Sequence, residues 1–355
     1  MVPLSHLTLF IRQEMKQILI TGSFGFVGSR LAAHFLSSGV KVRLLDLPDH
    51  PGKDDILGWL RGFGKPQLIE ADICDEEQIR SAVAGCDEVI HSAGLLNSTA
   101  PWAHFHRVNV LGTQTLCRAC TNQGVPHLTL LSTSDVFGIP GSGKILSEDS
   151  PYRPWSEPYA DTKIEAARFA KSLRGQGGLK ISIVYPGWVY GPGDRQFFPA
   201  VMDMVSSGIV FTWHRDEPME IYFVHIDDLI AGIDTIIRTP SAHNRDYLLL
   251  DPATGITPMD LFGIIAKHQG HAIKQVHLPY SLMMFVAKTT QTLARYRLLP
   301  SPLLSTTDVK AFGNRFRFST QRAAEELNWS TKVSSLEGIR QALEWQTSNQ
   351  PVTKL

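Results

Sequence analysis

The chain has 355 residues, 43% hydrophobic and 19% charged, and its 34 lysines and arginines equal its 34 aspartates and glutamates. Such a composition fits a soluble globular protein with a large core, either two domains or one enlarged α/β domain with an added lobe. Zero net charge leaves no bulk field to recruit nucleic acid or an acidic surface, so the expected partner is a small molecule.

Residues 1–14 read as an extension before the first strand. They lack a basic leader region and a small-residue cleavage site, so no secretory signal is expected. An apolar run, Ile18–Thr21, then meets three glycines, Gly22, Gly25 and Gly28, and continues as a helix over Val27–Ser38. Strand, glycine turn and helix together place a pyrophosphate on a helix N-terminus, where unpaired N–H groups and the dipole favour negative charge. Gly22 permits the turn, Gly25 leaves room for phosphates, and Gly28 lets helix and strand pack closely. The second strand, Val42–Asp46, ends in a carboxylate about 20 residues on, where an acid accepts hydrogen bonds from an adenosine ribose. Asp46 therefore predicts NAD over NADP, since it would repel a 2′-phosphate.

Further strands are predicted at Leu68–Ala71, Glu88–His91, Leu128–Ser132 and Lys180–Tyr185. Helices fall between them at Glu76–Ala84, Trp102–Asn122 and Tyr159–Leu173. This alternation implies a parallel sheet covered on both faces and, with right-handed crossovers, doubly wound. After Pro186 come a loop-rich stretch with a helix at Phe198–Ser207, strands at Ile221–Val224 and Tyr247–Leu250, and a helix at Asp227–Arg238. Helices dominate beyond Pro258, including the apolar stretch Pro279–Leu299 and a late helix, Ser335–Thr347. The expected fold is thus α/β: a doubly wound parallel-sheet Rossmann fold with a smaller, mostly helical C-terminal substrate lobe. Its expected parts are the extension 1–14, an NAD-binding domain 15–186 to which 221–250 return, a substrate lobe made of 187–220 and 251–348, and a tail 349–355.

Four cysteines in so long a chain make no disulfide framework, and Cys117-x-x-Cys120 has no second ligand pair nearby. Buried free thiols, no metal site and a reducing, cytoplasmic home are expected. No apolar run is long enough to span a bilayer.

The chemistry is expected around Tyr159 and Lys163, four apart on one helix face. A phenol is a poor base near neutrality, and a neighbouring ammonium favours its phenolate; a cationic nicotinamide would add to this. The pair can move a proton while a hydride moves. Thr133, at the carboxyl end of a predicted strand, could donate to the substrate oxygen. For Ser134 and Asp135 a turn hydrogen bond to the backbone is the expected role.

These pieces, with Asp72-Ile73, His91-Ser92-Ala93-Gly94, Asn109-Val110-x-Gly112-Thr113, Ser132-Thr133-x-x-Val136-Phe137-Gly138, Pro186-Gly187-x-x-Tyr190-Gly191-Pro192-Gly193 and Phe223-Val224-His225-Ile226-Asp227-Asp228, come in a fixed order. In that order the chain resembles the extended short-chain dehydrogenase/reductases over nearly all of 15–345. The resemblance implies Thr133, Tyr159 and Lys163 as the catalytic set, the lysine also reaching the nicotinamide ribose. It implies cofactor contacts from Gly22, Phe24, Gly25, Phe26, Val27, Gly28 and Asp46. Asp72 and Ile73 would hold the adenine, Ala93 and Gly94 would run beside phosphates and ribose, and Pro186, Gly187 and Val189 would cradle the carboxamide. Asn109 would be structural, and His225 and Asp228 would form a buried hydrogen-bonded corner. A homodimer is expected.

Two departures bear on substrate. Phe137 stands where many members carry tyrosine, removing a hydroxyl near the pocket. Ile221 stands where nucleotide-sugar epimerases and dehydratases often carry an arginine that grips the substrate diphosphate. The segment 219–223, the apolar C-terminal helix and Arg315–Ser319 look more like the 3β-hydroxysteroid dehydrogenase and dihydroflavonol-reductase side. The expected activity is NAD-dependent interconversion of a secondary alcohol and a ketone on an apolar, 3β-hydroxysteroid-like or β-hydroxy/keto-acid substrate. The alternatives are a nucleotide-sugar epimerase or dehydratase and a non-catalytic NAD-sensing or scaffold protein; the intact triad argues against the last. Expected substrate contacts are Leu95, Ser134, Trp188, Arg195 and Phe197, with Phe198, Met283 and Phe285 available for a wall and Arg295 for an acidic head.

Overall fold

The computed structural model describes residues 17–96, 100–139, 144–213, 219–296, 298–299 and 304–348, with the backbone alone of Arg295. The extension 1–14, the tail 349–355 and the Arg295 side chain lie outside the described residues. The chain runs β1 (Gln17–Thr21), α1 (Phe26–Ser37), β2 (Lys41–Asp46), α2 (Lys53–Leu60), β3 (Gln67–Glu70), α3 (Glu76–Val83) and β4 (Glu88–His91). It continues α4 (Trp102–Phe105), a π-helical turn (His106–Leu111), α5 (Gly112–Gln123), β5 (His127–Leu131), a 3₁₀ turn (Ser134–Phe137), α6 (Pro158–Ser172) and β6 (Lys180–Pro186). Then follow β7 (Trp188–Tyr190), α7 (Phe197–Ser206), β8 (Ile209–Thr212), β9 (Phe223–His225), α8 (Ile226–Arg238) and β10 (Asp246–Leu249). The last elements are α9 (Pro258–Gln269), β11 (Lys274–His277), α10 (Tyr280–Arg295), α11 (Thr306–Gly313), α12 (Gln321–Leu327) and α13 (Ser335–Ser348).

Seven strands form one parallel sheet in the order β10-β6-β5-β4-β1-β2-β3. Alternation along each strand divides two cores. Ile18 and Ile20 of β1 pack with α1, α2 and α8, while Leu19 packs on the opposite face with α3, α5 and α6. Strand order reverses between β1 and β4, so a crevice opens above their carboxyl ends, where ligands bind in such sheets.

The amino end of the same sheet carries a buried polar knot. Glu88 accepts from His127 Nδ1 (2.6 Å) and the Thr129 hydroxyl (2.8 Å), and the other His127 nitrogen meets Ser182 Oγ (2.8 Å). His243 stacks on the His127 ring at 3.8 Å. Burial raises the Glu88 carboxyl above its usual range, and the His127 imidazole opposes that shift.

Three elements depart from the expectations. The single helix over Trp102–Asn122 is interrupted by the π turn, which aims Asn109 inward. The strand expected from Ile221 begins at Phe223 and pairs with β7, outside the main sheet. The region after Pro258 contains a strand, β11, paired with β8.

Candidate functional site

The crevice floor is the β1–α1 turn. Gly22 has φ +68°, and a Cβ there would lie 2.7 Å from the Ala93 backbone; a Cβ at Gly28 would overlap the Gly22 carbonyl. Gly25 caps α1 in extended geometry, with no side chain on the first-turn N–H groups and no acidic residue in that turn. This leaves a bare, positively polarised helix start, the donor set that a diphosphate needs. Phe26 and Val27 form the first turn. Phe24 contributes only backbone: its ring is buried, and its N–H donates to Asp46 Oδ2 (2.8 Å). Asp46 Oδ1 accepts from Leu47 N–H (2.9 Å), so the half-buried carboxylate is fixed at the strand end. Arg43 turns away, donating to the Ala82 and Ala84 carbonyls at 2.7 Å.

Above β4, β5 and β6 lie Thr133, Tyr159 and Lys163. The Lys163 ammonium is buried, donates to the Leu131 carbonyl (2.9 Å), and lies 3.2 Å from where a Gly94 Cβ would project. Burial lowers its pKa to about 8. The Thr133 hydroxyl, within reach of both the Tyr159 phenol and the Asp135 carboxylate, also accepts from Asp135 N–H (3.2 Å). Burial first, then the Asp135 charge, push the phenol above its ordinary range, and the Thr133 hydrogen bond pulls the other way. The expectation that Lys163 sets a depressed phenol pKa is corrected: the larger local influences raise it.

Matched against known families, residues 18–249 fit the family described as the NAD dependent epimerase/dehydratase family. The chain belongs to that family. Its cofactor is NAD, and the bare helix start and glycine cradle fit it.

Among curated relatives, the short-chain dehydrogenase/reductase family 42E member 1 of Danio rerio is 28% identical, covering 93% of this chain and 89% of the relative. The dTDP-glucose 4,6-dehydratase of Streptomyces griseus is 31% identical, covering 71% and 78%. Two solved structures share the fold. DesIV, a dTDP-glucose 4,6-dehydratase from Streptomyces venezuelae solved with NAD, gives a TM-score of 0.75 at 22% identity, covering 94% of this chain and 98% of that one. The UDP-glucuronic acid 4-epimerase of Bacillus cereus, solved with UDP-glucuronic acid and NAD, gives 0.75 at 20%, covering 94% and 99%.

The remaining expected cofactor residues of this epimerase/dehydratase-family chain flank the cradle. Asp72 accepts from Cys74 N–H (2.9 Å) and pairs with Arg107 (2.6 Å); these outweigh its partial burial and hold its carboxyl below the usual range. Ile73 is buried against Gly112. Ala93 N–H reaches the Thr21 hydroxyl (3.3 Å), and Gly94 lies beside Lys163. Pro186 ends β6. Gly187 is required because a Cβ would overlap the Tyr222 carbonyl, and Val189 is half-buried on β7. Asn109 clamps Leu95, accepting from its N–H (2.7 Å) and donating to its carbonyl (3.3 Å), and also donates to the Thr162 hydroxyl (3.1 Å). A π-helical turn beside a site is a recurrent device for aiming such a side chain.

On the expected substrate side, Trp188 packs edge-on against Phe197 (5.3 Å), Tyr222 (5.8 Å) and Phe312 (4.9 Å). Ser134 is buried with its hydroxyl unpartnered, as is Ser132. Four expectations are corrected. Phe198 is core, stacked on Tyr190; Phe285 is 67% exposed to solvent; and Met283 joins a separate small cluster with Trp213. Phe137 packs in the core on Tyr185, so the hydroxyl it lacks would not have faced a pocket. The Arg195 guanidinium lies beside Gly52, in the loop beyond β2. His225 caps α8 by accepting from Asp227 N–H (3.3 Å), and Asp228 accepts from Lys332 and Val333 N–H (both 3.1 Å), forming the buried corner.

The residue that sequence reasoning missed is Asp135. Its carboxylate accepts from the Tyr222 hydroxyl (3.4 Å), while its carbonyl accepts from Trp155 Nε1 (2.6 Å). Burial raises its pKa to about 6, against the Thr133 and Tyr222 hydrogen bonds. Tyr222 is 87 residues away in sequence, so no local pattern announced the pairing.

Proposed function

We propose that the protein interconverts a secondary alcohol and a ketone on an apolar substrate, of the 3β-hydroxysteroid-like or β-hydroxy/keto-acid class. Tyr159 acts as the acid/base, Thr133 donates to the substrate oxygen, and Lys163 holds the nicotinamide ribose. The observation that carries this is the aromatic cluster beside Asp135, with Tyr222 and Phe316 buried in it and Trp188, Phe197 and Phe312 half-buried at its edge. Trp188, Phe197, Tyr222, Phe312 and Phe316 form it, and Ile221, where a diphosphate-gripping arginine would stand, is buried in the apolar core.

In this reading Gly22, Gly25 and Gly28 with the Phe24, Phe26 and Val27 backbone hold the diphosphate, and Asp46 the adenosine ribose. Asp72 and Ile73 border the adenine; Ala93, Gly94, Pro186, Gly187 and Val189 border the nicotinamide half. NAD, when bound, supplies the hydride acceptor or donor. Tyr159 takes the alcohol proton during oxidation and returns it during reduction. The buried Lys163 ammonium and the Leu131 carbonyl fix the ribose end of the site. Leu95, Ser134, Trp188 and Phe197 border the substrate.

The division into 15–186 with 221–250, and a lobe of 187–220 and 251–348, belongs to this proposal; it is supported by β10, which rejoins the main sheet. A cytoplasmic homodimer belongs to it too, with the exposed Trp102 and Leu111 on one face; sedimentation velocity tests the dimer. Among the described residues no helix is long and apolar enough to cross a membrane.

A second reading, a nucleotide-sugar dehydratase or epimerase, is favoured by Asp135. Eliminating water beside a carbonyl needs an acid/base group besides the tyrosine, and a carboxyl titrating at about 6 is suitably poised. Thermal melting of the NAD complex with UDP, dTDP and their sugars separates the two, alongside NAD(H) turnover on apolar alcohols and ketones. The apolar reading expects turnover and no nucleotide shift. Strong stabilisation at micromolar nucleotide overturns it.

A further inference from the structure

The turn after β7 runs Gly191-Pro192-Gly193-Asp194-Arg195 and leads into α7. It is rigidly built. The Asp194 carboxylate is buried and accepts from three backbone N–H groups, those of Gln196 (2.9 Å), Phe197 and Phe198 (both 3.0 Å), while the Asp194 carbonyl takes the Gln346 amide of α13. The turn passes directly over the start of α1: a Cβ at Gly193, which has φ +101°, would lie 3.3 Å from the Phe26 ring. From this support the Arg195 side chain crosses to the far wall of the crevice. Its Nη1 is 3.1 Å from where a Cβ of Gly52 would project, and Gly52 is the left-handed cap of α2, six residues beyond Asp46.

A guanidinium is therefore suspended between the first turn of α1 and the loop that follows the ribose carboxylate. It is exposed, and among the described residues no hydrogen bond or ion pair holds it. A cation carried on a rigid turn to the mouth of a phosphate cradle, with no internal partner, is matched to a phosphate ligand by geometry and charge. We propose that Arg195 is a latch on the bound dinucleotide, pairing with its diphosphate from the side opposite the glycine turn, and is not a substrate-binding residue. The cradle supplies backbone donors from below; Arg195 supplies the charge from above.

Calorimetric titration of the full chain tests this without turnover. Arg195→Ala is expected to weaken NAD and ADP-ribose about tenfold or more, the scale of one charge-assisted hydrogen bond. Adenosine, which has no phosphate, should bind as to the unaltered chain. Arg195→Lys should recover part of the loss, and the salt dependence of NAD affinity should flatten in Arg195→Ala. Arg195→Gln keeps the side-chain length and serves if the alanine variant folds poorly. Unchanged NAD affinity with a raised substrate KM overturns the proposal and returns Arg195 to the substrate. An equal loss for adenosine overturns it as well, as a structural effect.

Discussion

Replacing Asp135 by asparagine should stabilise the protein, and more at high pH than at low. The carboxyl moves from 3.8 to about 6 on folding because burial penalises its charge more than the Thr133 and Tyr222 hydrogen bonds reward it. A folded pKa raised above the unfolded one means the folded state holds the proton more tightly. Its stability contribution is therefore present at low pH and is lost as pH rises through the window from 3.8 to about 6. At about 1.36 kcal/mol per unit, the ionised carboxylate costs the fold about 3 kcal/mol near pH 8 and about half of that near pH 5, where it is still mostly protonated. Asparagine keeps an acceptor for the Tyr222 hydroxyl and removes the charge, so its gain should follow the same curve. Urea denaturation of both proteins across this range measures it. A difference independent of pH, or a destabilised variant near pH 8, would refute the assignment of a strained carboxylate. Because Asp135 also raises the Tyr159 phenol, the variant's rate on an alcohol should gain its basic limb at lower pH.

Three other outcomes are expected. Tyr159→Phe should lower kcat by about 10²- to 10⁴-fold, with NAD affinity by calorimetry within about twofold of the unaltered chain, since only the transferable proton is lost. Gly94→Ala would place a Cβ 3.2 Å from Lys163 Nζ and 3.5 Å from Asn109 Oδ1, so kcat should fall about tenfold while the far-ultraviolet circular dichroism is unchanged. His127→Ala takes the imidazole from the buried Glu88, leaving it the Thr129 hydroxyl, and should cost about 3 kcal/mol or more in urea denaturation, with NAD affinity retained because the knot lies at the opposite end of the sheet.

The sheet was legible because short apolar runs and glycine turns are local. Strands ending at Thr21, Asp46 and His91 appear where the pattern placed them, and Tyr159 and Lys163 share a helix face near Thr133. What was hidden depends on contacts distant in sequence. Phe198 and Phe285 are both large and apolar, yet one is core and the other faces water, and only the packing of α7 and α10 decides which. Asp135 looked like a turn residue because its partner Tyr222 arrives from the segment just before β9, 87 residues away. The short strands β8 and β11, four residues each, have too little pattern to stand out until they pair with each other. Ile221 was read as the absence of an arginine; its burial in the core shows that the position is committed to packing.

The hold of Gln346 on the Asp194 carbonyl has a consequence for biosynthesis. The glycine cradle, Asp46 and the Tyr159 helix are all synthesised before α13, whereas the turn that carries Arg195 is pinned by α13 across a separation of 152 residues. A nascent chain can thus acquire a dinucleotide-shaped floor well before the roof is fastened. Cofactor captured during synthesis should exchange freely until α13 docks and be retained more firmly afterwards.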